Sequence, residues 1–495
     1  MASPAYVLVL DQGSTSSRAV LYDRAGKIVF LQRTALETLL PGAERVEHDP
    51  SALFDSQIRA LRGVRKWLGK GGERRIAAVG VTNQRSTFLL WERKTGRPLC
   101  RAISWQDRRG EESCIEMARH QDNIRARTGL RLTPHSTIAK LRWVLRHVEG
   151  ARKKAQNGDL VFGTVNTYLI WRLTGGRVHA TDDTNASRTL MMNLRTRAWD
   201  PELLSLFEIP PVLLPRIQPT SASYGEAAIG RCAVPILASI GDQQASLCGQ
   251  GGFRPGHLAL TYGTGGFLLW NVGERPQMRT SLLSTVAWSA QRRVCYGLEG
   301  TVNAVGSAIL WLKHLGLIAR LEEIDDLCRA SRQEVAFVPA LAGLGSPHYR
   351  PVETALFGLK RTTTRADLVR GLIEGVAYLM KDNYERMKVE LRAPPRTISA
   401  GGGAAQCRWL VQFQADLFGR EIGLSNVYET TSRGAAYLAG LERGFWRSLD
   451  SLDRAKRPAR RFLPRLSSLE VEKKYARWQR ALELAGEWKE ASPTP

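Results

Sequence analysis

The stretch VLVLDQGSTSSRAVLY, residues 7–22, decides the predicted fold of this chain. Apolar residues lead to Asp11, a turn of glycine and small hydroxyl residues follows, and apolar residues resume after Arg18. This pattern predicts a β-hairpin with a tight turn. Such a turn can bring backbone N–H groups, hydroxyls and a guanidinium to a phosphate, and Asp11 can bind Mg²⁺ directly or through water. An ordinary solvated hairpin is the alternative.

A second stretch, LALTYGTGGFLL at residues 258–269, repeats this order of apolar strand, glycine-rich turn and apolar strand. Residues 251–256, just before it, have the glycine-rich composition of a hinge. A third glycine-rich turn, ISAGGGAAQ at 398–406, lets the backbone approach a flat ligand closely. Two similar hairpins, each opening one half of the 495-residue chain, predict a duplicated α/β fold with domains at residues 1–250 and 251–495.

Polar residues follow three other predicted strands at the points where the strands end. The apolar run 76–81 leads to TNQRS at 82–86, and Ile103 leads to Ser104, Trp105 and Gln106. Open α/β sheets place their ligands at such strand ends. The alternatives to a functional role are that Trp105 packs in the core and that Arg85 forms an ion pair on the surface.

Asp242 occupies the third of these strand ends. The apolar run VPILASI at 234–240 stops at GDQQ, where a helix begins. An acid at this position can act as a general base in a cleft, and phosphoryl transfer needs a residue that accepts the proton of the attacking hydroxyl. A helix N-cap is the simpler interpretation. The adjacent Asp182 and Asp183 could bind a metal, although a cap in a loop is favoured there.

The chain is strongly basic, with 71 Lys and Arg against 47 Asp and Glu, a net charge of +24. Such a field attracts nucleotides, phosphorylated metabolites or nucleic acid. The basic residues are spread along the chain, most densely at 454–465, so we expect a solvated surface and no nucleic-acid partner. There is no apolar run of membrane-spanning length and no signal-peptide pattern, so we expect no membrane insertion. Seven scattered cysteines without a C-x-x-C pair favour a cytoplasmic protein.

Ten segments resemble the FGGY carbohydrate kinases, over nearly the whole chain. They are LDQGSTSSRAV, VEHDP, TNQR, SWQ, FGTVNTYLIW, TDDTNASRT, GDQQA, TYGTG, LFGLKR and GAAYLAGL. The resemblance is greatest to the glycerol-phosphorylating branch of the family. It implies an α/β protein in which two actin-like ATPase (ribonuclease H-like) domains flank a nucleotide-binding cleft, with the polyol in the first domain and ATP mainly on the second. It also implies ATP and Mg²⁺ as cofactors, and it leaves a homo-oligomer open.

The resemblance assigns roles to individual residues. Asp242 is implied to be the base that takes the substrate proton, and Asp11 to lie near Mg²⁺. The residues implied to contact ATP are Ser14, Thr15, Ser16, Arg18, Thr264, Gly306, Gly402 and Gly403. The residues implied to contact the polyol are Arg85, Ser86, Trp105, His135, Asp242, Gln243 and Phe267.

Several positions depart from the family pattern. Ser86 stands where the glycerol branch has Glu, and His135 stands where it has Tyr. Leu310 replaces a Gln near the nucleotide, and the segment GGGAAQC at 401–407 is more similar to the xylulokinase branch. The resemblance therefore implies ATP-dependent phosphorylation of a small polyol, with glycerol as the leading substrate. The alternatives are a kinase of another polyol or of a four- or five-carbon sugar, and an inactive ATP-binding regulatory protein, against which the retained Asp11, Arg85 and Asp242 argue.

Overall fold

The computed structural model describes residues 5–42, 44–278, 280–290, 292–341, 343–350, 352–448 and 458–491, the last without the side chains of 489–491. Residues 454–457 of the predicted basic patch lie outside this description. Within these ranges the chain forms two large mixed sheets, flanked by helices, and a smaller sheet. No helix in the described ranges has both the length and the apolarity of a bilayer span. The predicted α/β class is confirmed.

The first sheet is built around the opening hairpin. Its strands, in spatial order, are Glu226–Ile229, Cys232–Gly241, Ile76–Asn83, Tyr6–Gln12, Ser16–Tyr22 and Ile28–Ala35. The strand Tyr6–Gln12 pairs antiparallel with Ser16–Tyr22 and parallel with Ile76–Asn83, which in turn is parallel to Cys232–Gly241. The carboxyl ends of these parallel strands, with Asp11, Asn83 and Gly241, therefore meet at one edge of the sheet.

The second sheet is built around the second hairpin. Its strands, in spatial order, are Leu283–Ala290, Arg293–Val302, Gly266–Gly273, His257–Tyr262, Thr397–Gly401, Ile422–Leu424 and Arg460–Phe462. His257–Tyr262 pairs antiparallel with Gly266–Gly273 and parallel with Thr397–Gly401, so the second and third glycine-rich turns also share an edge. The third sheet contains Leu39–Gly42, Arg45–His48, Ala102–Ile103, Phe88–Glu92 and Leu160–Thr164. Three two-stranded ladders join Ala180–Asp182 to Arg216–Gln218, Met192–Asn193 to Ala198–Trp199, and Ala336–Val338 to Ala355–Phe357.

Fifteen α-helices lie in the described ranges. They are Pro50–Leu68, Glu111–Glu116, Gln121–Thr128, Thr137–His147, Ala151–Gln156, Val165–Leu173, Asp183–Ser187, Pro201–Leu206, Asp242–Gly249, Gly306–His314, Ile324–Ala330, Arg365–Leu391, Arg408–Phe418, Thr430–Glu442 and Ser468–Ala491. The first begins at Pro50, because the Asp49 side chain accepts the N–H of Ala52 and Pro50 occupies the first turn.

The helix Thr430–Glu442 belongs to the second half of the chain but packs on the first half. Its residues Ala435–Leu438 share a buried cluster with Val7, Val9 and residues of the helix Asp242–Gly249. The two helices approach so closely that a β-carbon on Gly434 would lie 1.9 Å from the Ala245 carbonyl oxygen. Glycine is therefore required where the two helices cross. Asp242 is the first residue of one of them, so this contact helps to hold Asp242 in position.

Gly434→Ala is expected to destabilise the protein by about 1–3 kcal/mol or more, since the added methyl group overpacks the helix crossing. In an unobstructed helix interior the same change would stabilise by roughly 1 kcal/mol. The control is Gly42→Ala, because nothing lies within 4 Å of a β-carbon there. Urea unfolding of both variants measures the difference, and equal stability of the two would contradict the close crossing.

Candidate active site

Asp11 and Arg18 face each other across the first hairpin. They are partners in its ladder, and Arg18 Nη1 lies 3.1 Å from Asp11 Oδ2 and 2.9 Å from Glu429 Oε2. Glu429 comes from the second half of the chain, directly before the helix Thr430–Glu442. Burial raises the pKa of Asp11 to about 6, although Arg18 opposes the shift, and the carboxylates of Glu429 and Asp242 add to it. This concentration of buried negative charge suits a cation.

The turn of the first hairpin forms hydrogen bonds with residues near the predicted polyol site. Ser14 Oγ donates to Gln84 Oε1 at 2.9 Å and accepts from Trp105 Nε1 at 3.0 Å. Thr15 is exposed, whereas Ser16 is buried and its carbonyl accepts the N–H of Gly13 at 3.0 Å. The structure thus leaves Thr15 exposed and engages the Ser14 hydroxyl in hydrogen bonds within the protein.

The three predicted nucleotide segments of the second half lie against one another. The Gly306 N–H donates to the Gly263 carbonyl at 2.9 Å, and a β-carbon on Gly306 would lie 2.6 Å from that oxygen. Gly402 has φ of 94°, and a β-carbon there would lie 2.6 Å from the Tyr262 carbonyl oxygen. Thr264 is exposed, and Gly403 faces open space. The glycines therefore let the three segments form one surface with exposed backbone.

Asp242 is the first residue of its helix, and Gly241 is the N-cap. The N-cap interpretation of this aspartate is therefore wrong. Its Oδ1 accepts the Gln243 N–H at 2.8 Å and lies 3.1 Å from Arg85 Nε. About 30% of the side chain remains exposed, so the carboxylate can reach a bound molecule. Burial raises its pKa, and Arg85 opposes the shift.

Arg85 is buried and makes the largest set of contacts in the site. Its Nη1 and Nη2 lie 2.5 and 3.2 Å from the two carboxylate oxygens of Glu299, and Nη1 also donates to Gln244 Oε1 at 3.3 Å. Its guanidinium lies 5.6 Å from the centre of the Phe267 ring. Glu299 lies on the strand Arg293–Val302 of the second sheet, so Arg85 connects the two halves. The alternative interpretation, that Arg85 forms an ion pair on the surface, is wrong.

The remaining residues that are predicted to contact the polyol make fewer contacts in the site than Arg85 does. Ser86 has φ of 64°, and its Oγ donates to the Arg188 carbonyl at 3.4 Å. The His135 ring is open to solvent, yet desolvation by the adjoining protein and the charges of Lys140 and Arg108 lower its pKa to about 4, so it is neutral at physiological pH. Gln243 Oε1 is buried and accepts no hydrogen bond.

Sequence reasoning missed Glu299, Gln244 and Arg188. Glu299 is fully buried and is the single acid in the strand RVCYGLEGTV, which is the signal that could have drawn attention to it. Asp182 and Asp183 are buried and accept hydrogen bonds from neighbouring residues. Asp182 caps the helix Asp183–Ser187, in agreement with the capping role that the sequence favours over metal binding. In the described ranges no cluster of three or more His, Cys, Asp or Glu side chains could hold a metal.

The site thus combines glycine-rich turns in both large sheets with a partly exposed carboxylate that a buried arginine holds in place. A kinase needs backbone that can approach phosphates and a group that can accept a proton, so these features fit the class of ATP-dependent kinases. Comparison with known proteins gives the particular family.

The family model for the N-terminal domain of FGGY carbohydrate kinases matches residues 6–249, and the model for the C-terminal domain matches residues 258–442. A glycerol kinase of Thermus brockianus is 43% identical over 98% of this chain and 99% of its own length. Glycerol kinase 2 of Thermotoga maritima is 41% identical over the same shares. The solved structure of Plasmodium falciparum glycerol kinase with ADP is 31% identical, with a TM-score of 0.90 over 98% of this chain and 99% of that one. The chain belongs to the FGGY family of carbohydrate kinases.

Glu299→Gln is expected to lower kcat/KM for the phosphoryl acceptor by roughly 100-fold or more, because it leaves Arg85 buried without its counter-charge. The free energy of unfolding should fall by about 3–5 kcal/mol for the same reason. Steady-state kinetics and thermal unfolding measure the two effects.

The control for this variant is Glu274→Gln, which breaks an exposed ion pair of 3.7 Å with Arg293. Such pairs contribute about 1 kcal/mol or less. Equal kinetics for the two variants would show that the buried pair does not organise the site.

Proposed function

We propose that this protein transfers the γ-phosphoryl group of ATP to glycerol, forming glycerol 3-phosphate. The observation that carries the proposal is the carboxylate of Asp242, which is partly exposed and held by Arg85 directly after a strand of the first sheet. The relatives of about 40% identity named glycerol kinase support glycerol as the acceptor. The cytoplasm, where ATP is available, is the proposed location.

Asp242 would accept the proton of the attacking hydroxyl. Its raised pKa makes it a better base than an ordinary aspartate, while the contact with Arg85 opposes the shift and favours the ionised form. Because a base must be deprotonated to act, kcat/KM falls as the pH drops through this raised pKa. Arg85 fixes the carboxylate and, with Phe267 against its plane, forms one wall of the acceptor pocket.

Arg18 and the exposed backbone of the glycine turns would hold the phosphates of ATP. Mg²⁺ commonly uses one or two carboxylates together with substrate phosphates, and Asp11, buried among other negative charges, fits this role. When bound, Mg²⁺ would neutralise charge on the transferred group. Closure of the cleft over these groups would exclude water, so that the phosphoryl group reaches the alcohol.

Asp242→Asn is expected to lower turnover about 100- to 10,000-fold, the usual contribution of a general base. Binding of ADP should be retained, because the nucleotide segments are untouched. The control is Asp326→Asn, at an exposed surface position. Turnover within a few-fold of the unmodified protein would remove Asp242 from the role of base.

A second candidate acceptor is a longer polyol or a four- or five-carbon sugar. The observation that favours it is Ser86, which is short and makes one long hydrogen bond of 3.4 Å, so it leaves room beside Arg85 that a larger side chain would fill. A neutral His135 can supply one hydrogen bond to an additional hydroxyl. The two candidates differ in the acceptor and share the same base and nucleotide site.

Ser86→Glu distinguishes these acceptors. A hydrogen bond to a charged group contributes about 1.5–3 kcal/mol, so the added carboxylate should raise kcat/KM for glycerol roughly 10- to 100-fold and lower it for four- and five-carbon polyols. The measurement is kcat/KM for each polyol with both proteins. If the unmodified protein already prefers glycerol and the variant gains nothing, Ser86 does not set the choice of acceptor.

A further inference from the structure

Arg188 is a largely buried cation near Ser86 and Glu299 that the proposed reaction does not use, with about 16% of its side chain exposed. Its Nε and Nη1 atoms are buried and donate to no protein atom. Its nearest carboxylate oxygen, Glu299 Oε1, is 3.5 Å from Nη2. A buried guanidinium ordinarily has its N–H groups satisfied, so unpaired ones indicate a missing partner.

Arg188 lies in the same cluster as the catalytic groups. Its carbonyl oxygen accepts the Ser86 hydroxyl, and the charges of Glu299, Arg85 and Asp242 all act on its guanidinium. Its unpaired N–H groups are therefore close to the residues of the proposed acceptor site.

Two further polar atoms without partners accompany Arg188. Tyr349 Oη is buried and unpaired beside the Ser346 hydroxyl, and the Arg188 charge acts on this phenol. Tyr349 also has φ of 50°, a left-handed conformation that a bulky residue adopts only when the surroundings require it. Gln243 Oε1 is the other unpaired atom. Donors and acceptors thus converge at this end of the pocket.

The charges in this cluster balance while Asp242 is ionised, and they favour an anion once Asp242 is protonated. Glu299 is committed to Arg85 through two contacts, and Asp242 also pairs with Arg85. When Asp242 accepts the substrate proton, two guanidinium groups remain against one carboxylate. A carboxylate on the acceptor would restore neutrality and supply oxygens for the free N–H groups of Arg188.

We propose that Arg188, assisted by Tyr349, binds a carboxylate on the acceptor, so that this kinase phosphorylates short polyhydroxy acids in addition to neutral polyols. This inference rests on the proposed function. In the step, a hydroxyl oxygen of the acid bonds to the γ-phosphorus, the bond from that phosphorus to the β–γ bridging oxygen breaks, and ADP leaves with the electron pair. The proton goes to Asp242, and the carboxylate of the acid is unchanged.

The test compares matched pairs of acceptors, D-glycerate with glycerol and D-erythronate with erythritol, at saturating MgATP. We expect the full-length protein to phosphorylate each acid with kcat/KM at least equal to that of its neutral partner. Arg188→Gln should lower kcat/KM for the acids about 10- to 100-fold, the effect of a charge-assisted hydrogen bond, and for the neutral polyols less than about 3-fold.

Two other variants sharpen the result. Arg195→Gln removes the same charge from an exposed position seven residues away and should leave both ratios unchanged. Ser86→Glu places a competing carboxylate beside Arg188 and should lower the activity with acids while that with glycerol is kept or raised. This second variant gives an answer even if Arg188→Gln does not fold, which thermal unfolding with and without ADP would reveal.

The outcomes separate this inference from the proposed function. Phosphorylation of glycerol without phosphorylation of either acid overturns the inference and leaves the proposed function standing. Equal losses for acids and neutral polyols in Arg188→Gln, or acid activity that survives in Ser86→Glu, also overturn it. Failure with all four acceptors rejects both. Loss confined to the acids supports Arg188 as their anchor.

Discussion

The buried ion pair between Arg85 and Glu299 is the interaction on which the rest of the site depends. Arg85 follows a strand of the first sheet, and Glu299 lies on a strand of the second, 214 residues further along the chain. Two charges removed from water are tolerated only when their geometry is good and their remaining donors are satisfied. Glu299, Gln244 and Asp242 meet this condition for Arg85. The same guanidinium therefore contacts the proposed base, Asp242, and joins the two halves of the chain.

A second contact between the halves involves Arg18, which bridges Asp11 of the first hairpin and Glu429 of the second half. The two bridging arginines differ in burial: about 26% of the Arg18 side chain is exposed, against 7% for Arg85. The more exposed guanidinium can exchange a carboxylate for a phosphate at lower cost, whereas the buried one cannot. This difference fits a division in which Arg85 is structural and Arg18 stays accessible to a ligand, as the proposed function requires.

Much of this architecture could be predicted from the sequence because its signals are local. The hairpins, the helix Pro50–Leu68 with its Asp49 cap and the strand leading to Asp242 all follow from short patterns of apolar, glycine and capping residues. Glu299 could not be found in this way, since its role depends on a partner distant in sequence, and one acid in an apolar strand does not identify that partner. The packing of the helix Thr430–Glu442 on the first half depends in the same way on a tertiary contact between Gly434 and Ala245. The predicted domain boundary at residue 250, the individual site roles and the oligomeric state stay predictions.

The central claim is that one cleft brings the acceptor hydroxyl, Asp242 and the γ-phosphate together. The most direct measurement is a crystal structure of the full-length protein with glycerol, Mg²⁺ and a non-hydrolysable ATP analogue. We expect a glycerol hydroxyl within about 2.6–3.2 Å of an Asp242 oxygen, with the γ-phosphate next to the same hydroxyl and the nucleotide along residues 263–265, 306 and 402–403. Glycerol bound away from Asp242, or a γ-phosphate directed away from Arg18 and Asp11, would contradict the account.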